Sequence, residues 1–375
     1  MQNKMIIGID GNEANIKNRV GVGQYAFNLF WNLYKIDTKN KYIIYLKNQP
    51  LDDLPLEKEG WTYKVFGPQK LWTKFTLPLH LFTQKEKLNL FYSPSHYSPQ
   101  FCPCPTIPTI HDLGYLQFKN QFNKKDLYQL INWTKNSIKK AKHIITVSKF
   151  SQKEIEKIYN VNSKKITVAF NGVDEPPKIS QKIQKQVLNK FKILEPYFLF
   201  VGTLKPNKNI PFLIKSFSLF LKSHSSTTLV IAGKKGWLFD EIFKTVKEEK
   251  LENKIIFTDY INETQKWTLY QNAISLIIPS TYEGFGIPAI ESLRVGTPVI
   301  ASNIESLKEV LGEGSLFIDP NNPKDLCLKM TLIIDSKNRK KYSALGLIQT
   351  QKYTWANTAK SVMEAFDKTS CIIKP

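Results

Sequence analysis

Short apolar runs separated by amphipathic segments recur through the whole chain, and they do so in two series. Residues 5–9, 42–46, 88–92, 106–110 and 143–147 are runs of strand length, and residues 25–36 and 125–141 between them have apolar positions at helical spacing. The second series runs through 197–201, 228–232, 254–258, 274–278 and 298–301, again with helical segments between. Strands that alternate with helices must cross over to the same end of a sheet, so the pattern predicts parallel pairing. The expected fold class is α/β, with two Rossmann-like doubly wound parallel-sheet domains facing each other across a cleft at the carboxyl ends of their strands. A length of 375 residues suits two cores better than one. The break is expected at Asn171-Gly-Val-Asp174-Glu-Pro-Pro177, where a turn meets two prolines that cannot continue regular pairing. This gives domains over 1–173 and 174–350, followed by a C-terminal segment over 351–375. Within that last segment Ala356, Ala359, Val362, Met363 and Phe366 form a helical stripe that needs a docking surface. Two helix starts are legible: Ser151-Gln-Lys-Glu154 has the capping-box pattern, and Asn322-Pro323 puts a cap ahead of a proline.

Composition removes several function classes. The longest stretch without Lys, Arg, Asp or Glu, residues 88–111, contains five prolines and cannot be a spanning helix. The apolar run before Asp10 is too short for the core of a signal peptide, so a cytoplasmic location is expected. Cys102, Cys104, Cys327 and Cys371 include no Cys-x-x-Cys pair and have no His at ligand spacing, which argues against structural zinc or a disulfide framework. The net charge of +21 is spread over both halves. Only Arg19, Arg294 and Arg339 are arginine, whereas base readout favours the planar guanidinium, so no nucleic-acid partner is expected. A general lysine bias explains the charge, and contact with an anionic membrane or substrate is the alternative. The densest basic patch, Lys119, Lys124, Lys125, Lys135, Lys139, Lys140 and Lys142, is where such a membrane contact is expected.

The most informative stretch, Pro279-Ser-Thr-Tyr-Glu283-Gly284-Phe285-Gly286-Ile287-Pro288-Ala-Ile-Glu291, follows a buried-type strand. Two glycines allow close backbone approach and Pro288 suits a first helical turn, so the stretch has anion-binding character. Its carboxylates fall one in the loop and one in the helix. Carboxylates accept paired hydroxyl hydrogen bonds well, so Glu291 suits a ribose diol and Glu283 sugar hydroxyls. An ordinary glycine turn with Glu291 as a solvated or capping residue has the same spacing. Val201-Gly202-Thr203-Leu-Lys205-Pro-Asn-Lys208-Asn209 likewise follows a strand and opens a helix, and Lys208 can neutralise a diphosphate as a point charge. In a chain of fifty lysines an isolated Lys208 is more often a solvated surface charge, and only the loop around it raises it to a candidate. Gly21-Val22-Gly23 lies between the first strand and a helix, as phosphate-covering loops and ordinary turns both do. His111-Asp112 puts an imidazole at a strand end, where such pairs are often structural. No metal-ligand spacing is present, so neither a bound metal nor a cofactor is expected.

Taken together these residues resemble the glycosyltransferase group 1 family (family 4), retaining nucleotide-sugar-dependent transferases of the GT-B fold. The likeness runs from the glycine loop at 21–23 through His111-Asp-Leu113, Val147-Ser148-Lys-Phe-Ser151, Asn171-Gly-Val-Asp174, Val201-Gly-Thr203, Tyr282-Glu-Gly-Phe-Gly-Ile-Pro288, Glu291-Ser and Gly296-Thr-Pro-Val299 to Asp319-Pro320. The resemblance implies that Glu291 holds the ribose and Glu283 the donor sugar. It implies that amides from Gly284 through Phe285 and Gly286 to Ile287 contact sugar and phosphates, and that Lys208 contacts the diphosphate together with the Gly202-Thr203 loop. It puts Gly21 and Gly23 near the diphosphate from the first domain and His111 near the sugar. Many relatives carry arginine at the places of Thr203 or Asn207, so this clamp is less cationic, and Lys205 is a candidate to compensate. The implied partners are a nucleotide-diphospho-sugar, GDP-mannose or a UDP-sugar, and a glycan or lipid-linked acceptor on the first domain's side. The last segment is implied to cross back to the first domain. A sugar-nucleotide epimerase or phosphorylase of the same fold, or a basic non-catalytic binding protein, would use the same framework.

Overall fold

The computed structural model describes residues 4–194 and 196–371; the side chains of Gln121 and Cys371 lie outside this description, including the thiol expected at 371. The chain forms two compact units, one from the segment up to Gly172 joined by the segment from Thr354 onward, the other from Val173–Tyr353.

The first unit is built on a parallel sheet of seven strands: β1 (Ile6–Asp10), β2 (Lys41–Leu46), β3 (Trp61–Val65), β4 (Leu90–Ser93), β5 (Thr106–Ile110), β6 (Ile144–Thr146) and β7 (Ile166–Val168), in the order β3-β2-β1-β4-β5-β6-β7. The order reverses between β1 and β4, and in open sheets of this kind ligands bind outside the strand ends at that reversal. Ile7, Ile9, Ile44, Leu90, Phe91, Ile107 and Ile110 are fully buried, as expected for strands covered on both faces. The helix Trp355–Cys371 belongs to this unit and packs on the helix Val22–Ile36. Its Ala359, Val362, Ala365 and Phe366 are buried, and Thr358 donates to the carbonyl of Phe170 at 2.6 Å. A Cβ on Gly172 would run into the backbone of Trp355, so a side chain there would push this helix away.

The second unit carries six parallel strands: β8 (Tyr197–Val201), β9 (Thr228–Ala232), β10 (Ile255–Asp259), β11 (Ser275–Ile278), β12 (Val299–Ser302) and β13 (Leu316–Ile318), ordered β10-β9-β8-β11-β12-β13. Here the reversal lies between β8 and β11, which pair Ser275 with Phe198. Phe198, Phe200, Leu229 and Ile231 meet Leu213, Phe217, Leu326 and Met330 of the helices Ile210–Leu221 and Pro323–Ile334 in one apolar cluster. Each such side chain contributes roughly 1.5–3 kcal/mol on burial, enough to hold the strand ends rigid beneath the loops they carry.

Asn322 caps the helix Pro323–Ile334 through the amide of Lys324, as its sequence predicts. The capping box expected at Ser151 is displaced. The helix is Lys149–Tyr159, its cap is Ser148, and Ser151 supplies the amide that Ser148 accepts from. The buried Ser148 is the residue with extended backbone, φ −154° and ψ 158°, which is what a cap requires.

Candidate functional site

The reversal in the second unit gathers the two loops singled out in the sequence. After β8 the backbone runs past Gly202, whose amide donates to Ala232 at 2.9 Å, and drives Leu204 into the core. A single 3-10 turn over Pro206–Lys208 follows, and Asn209 in the left-handed region opens the helix Ile210–Leu221. From β11 the second loop runs over residues 279–286. The Thr281 amide donates to the Asn207 carbonyl at 3.0 Å and the Asn207 side-chain amide to the Tyr282 carbonyl at 3.3 Å, so the two loops are joined by one backbone and one side-chain hydrogen bond. Across this seam Lys208 Nζ pairs with Glu283 Oε1, and Ser280 Oγ donates to the same oxygen at 2.7 Å. Glu283 Oε2 accepts no hydrogen bond among the described residues.

Gly286 sits at φ +92°, a region costly for any L side chain, and a Cβ there would meet Leu307 Cδ2 at 2.7 Å. From it starts the helix Ile287–Arg294, with Pro288 in the first turn and no side-chain cap. Pro288 has no N–H and the Ala289 amide donates to the Gly286 carbonyl at 3.0 Å, which leaves the Ile287 amide at the positive end of the dipole, four residues after Glu283. Gly284 and Phe285 are buried, and the Phe285 ring stands edge-on to Tyr353 at 5.5 Å, which fixes the loop from below. Ile287 is half-buried. Thr203 is half-buried too, and Lys205 places its ammonium 5.5 Å from the Trp237 ring centre.

Glu291 lies inside the same helix and is only 7% exposed. Its Oε1 accepts from Lys266 Nζ at 2.7 Å and its Oε2 from Tyr270 Oη at 2.9 Å. Lys266 also pairs with Glu263 at 3.0 Å. Burial opposes the charge on Lys266, but Glu291 and Glu263 outweigh it and hold the ammonium above its usual range. Burial and then Glu291 push the Tyr270 hydroxyl well up, so it stays a donor. Lys266 and Tyr270 are one turn apart on the helix Glu263–Asn272, started by a capping box of Asn262 and Gln265. The sequence gives no sign of either residue beyond their i, i+4 spacing.

In the first unit Gly21, at φ +51°, precedes the helix Val22–Ile36, and Gly23 is buried with its Cβ position 3.0 Å from the Glu13 carbonyl. Two residues on, Tyr25 sets its ring edge against His111 at 4.7 Å and shares a hydroxyl chain with Tyr92 and Thr109. The glycine loop and His111 are therefore brought together through Tyr25. His111 follows β5, and its Nε2 lies 3.0 Å from the Pro94 carbonyl. Because a carbonyl only accepts, Nε2 carries the proton and Nδ1 is left with a lone pair. Burial, with His96 stacked alongside, depresses the His111 pKa to about 4, so the ring is neutral at neutral pH. The sequence reading missed a pair of carboxyls at the end of β1. Asp10 accepts from the Asn12 amide and side chain, Glu13 lies three residues on, and burial raises both.

Residues 181–347 match the family model "Glycosyl transferases group 1", and residues 54–175 match "Glycosyltransferase Family 4". The chain belongs to the group 1 and family 4 glycosyltransferases. O-antigen chain mannosyltransferase B of Escherichia coli is 28% identical to it over 282 residues, 74% of each chain. O-antigen chain mannosyltransferase RfbU of Salmonella typhimurium is 35% identical over 216 residues, a match that spans 58% of this chain and 57% of that one. Among solved structures, Anabaena Alr3699/HepE in complex with UDP and glucose has a TM-score of 0.74 at 16% identity, over 97% of this chain and 99% of that one. WaaG, a glycosyltransferase involved in lipopolysaccharide biosynthesis, has a TM-score of 0.70 at 12% identity, over 96% and 99%. This glycosyltransferase thus has the GT-B fold. Among its described residues no helix is long and apolar enough to cross a membrane.

Proposed function

We propose that this glycosyltransferase moves a hexose, with retention and without a metal ion, from a nucleotide-diphospho-sugar to a glycan or lipid-linked acceptor. One observation carries the reading: an ammonium–carboxylate pair, Lys208–Glu283, sits at the strand reversal of the second unit next to an uncapped helix start. A diphosphate needs the ammonium and the amides, and a sugar needs the carboxylate. In the donor complex Lys208 turns to the diphosphate, Glu283 accepts from a sugar hydroxyl, and Glu291 takes the ribose diol. As the bond between the anomeric carbon and the diphosphate oxygen breaks, its electron pair goes to the diphosphate, where Lys208 and the amides before Pro288 stabilise it. The acceptor oxygen bonds the anomeric carbon on the same face, and its proton passes to the departing diphosphate. His111, neutral, offers a lone pair rather than a positive charge. Mannose as the hexose rests on the names of the O-antigen relatives.

Thermal-shift titration against GDP-mannose, UDP-glucose and other GDP- and UDP-hexoses in EDTA tests the donor. A true donor at about 100 times its dissociation constant stabilises the chain by about 2.7 kcal/mol. No shift with any nucleotide sugar, or a shift that appears only when manganese is added, would contradict the proposal.

A further inference from the structure

In the first unit, residues 71–82 present an apolar face that the fold leaves in water. A π-helical turn over Trp72–Thr76 continues into the helix Leu77–Thr83. Trp72, Leu77 and Leu81 turn inward onto Ile43, Tyr45 and Phe91. The other large apolar residues of the same segment, Leu71, Phe75, Leu79 and Phe82, are 47%, 57%, 68% and 59% exposed. Spacings of four, four and three residues align them in one stripe. Half of this segment is used to hold it to the core and the other half stays largely in water, with Lys74 Nζ 5.4 Å from the Phe75 ring centre.

The surrounding charge identifies the occupant. Lys70 and Lys74 flank the start of the stripe, and Lys85 and Lys87 follow its end; the one carboxylate in this stretch, Glu86, is taken up by Lys64 at 3.7 Å. Phe101, 57% exposed, has Lys140 Nζ 4.7 Å above its ring. Lys140 ends the helix Lys124–Lys140, which carries exposed Lys124, Lys125, Lys135 and Lys139 against a single acid, Asp126. Cys102, next to Phe101, packs on the cluster that anchors Trp72, Leu77 and Leu81. The apolar stripe and the lysine-rich helix end therefore share one foundation. Apolar side chains ringed by ammonium groups match a surface with anionic headgroups above an acyl layer. A second copy of this chain would instead bring like-charged lysines face to face.

We propose that this face docks on an anionic lipid bilayer, with Leu71, Phe75, Leu79 and Phe82 entering the acyl boundary and Lys70, Lys74, Lys85, Lys87 and Lys140 meeting the headgroups. The contact is thereby centred on the stripe rather than on the lysine patch alone, and it stands apart from the transfer reaction.

Sedimentation of the full chain with vesicles tests it, using phosphatidylcholine alone and phosphatidylcholine mixed with phosphatidylglycerol. The wild type is expected to bind the anionic vesicles about 10-fold or more tightly than the neutral ones, and less so in high salt. The Leu79→Glu/Phe82→Glu variant is expected to lose about 10-fold or more in binding while keeping its melting temperature and its shift with nucleotide. If that variant does not fold, Lys70→Gln/Lys85→Gln/Lys87→Gln, all at exposed positions, decides by losing the preference for anionic vesicles. Equal binding to both vesicle types overturns the proposal, as does undiminished binding by the folded variants. A solution dimer broken by Leu79→Glu/Phe82→Glu would give the face to a second copy instead.

Discussion

Glu291 shows what a sequence motif reveals of a residue and what it hides. Its place in the motif, eight residues beyond Glu283 and past the glycines, marks it for a ligand. The structure adds that it is buried and already engaged by Lys266 and Tyr270, which lie 25 and 21 residues earlier in the chain. One lysine among fifty carries no mark, so this support could not be read from sequence. The same holds for Asp10 and Glu13, whose interest comes from the strand reversal beside them and not from any motif. Glu291→Gln keeps the shape but removes the charge. It is expected to weaken nucleoside diphosphate binding by roughly 1–3 kcal/mol, measured by calorimetric titration, through loss of charge-assisted bonds to the ribose. It is also expected to lower the melting temperature, because Lys266 is then left with Glu263 alone. A lower melting temperature with unchanged affinity would make Glu291 a support of the fold and remove it from the ribose.

Elements were legible where the apolar run is long and were missed where it is short or mixed with polar residues. The ten apolar runs correspond to central strands and to the edge strand β10, and β3, β7 and β13 escaped notice. All three lie at sheet edges. Trp61-Thr-Tyr-Lys-Val65 mixes polar and apolar residues because its outer side meets water, and β7 and β13 have only three residues each. The cap of Lys149–Tyr159 was misjudged by three residues because Ser148 and Ser151 both fit a start signal, and only backbone geometry separates them. Ser148→Ala is therefore expected to destabilise the first unit by about 0.5–2 kcal/mol in urea unfolding, since it orphans a buried helix amide. Ser151→Ala keeps that amide and loses only the Ser151 hydroxyl, so it is expected to cost less. The reverse order would restore the cap to Ser151.

For the molecule as a whole, the doubled alternation of runs conveys the two parallel sheets, while the strand orders that locate the ligand ends come only from the fold. Net charge, the most conspicuous bulk property, says little about the donor, because Lys208 is distinguished from the other lysines by its loop and its partner Glu283 rather than by composition. The exposed stripe over 71–82 was likewise silent in sequence, since half of its apolar residues belong to the core and the pattern looks continuous. The most direct test of the account is the rate at which nucleoside diphosphate is released from the donor by Lys208→Ala, compared with Lys139→Ala, an exposed lysine outside the site. The account predicts that Lys208→Ala lowers kcat by about 100-fold to 1000-fold, the scale of losing one preorganised charge-stabilising donor, with a smaller change in donor affinity. If Lys208→Ala folds normally and turns over like Lys139→Ala, the diphosphate is not stabilised at this pair and the proposed site is wrong.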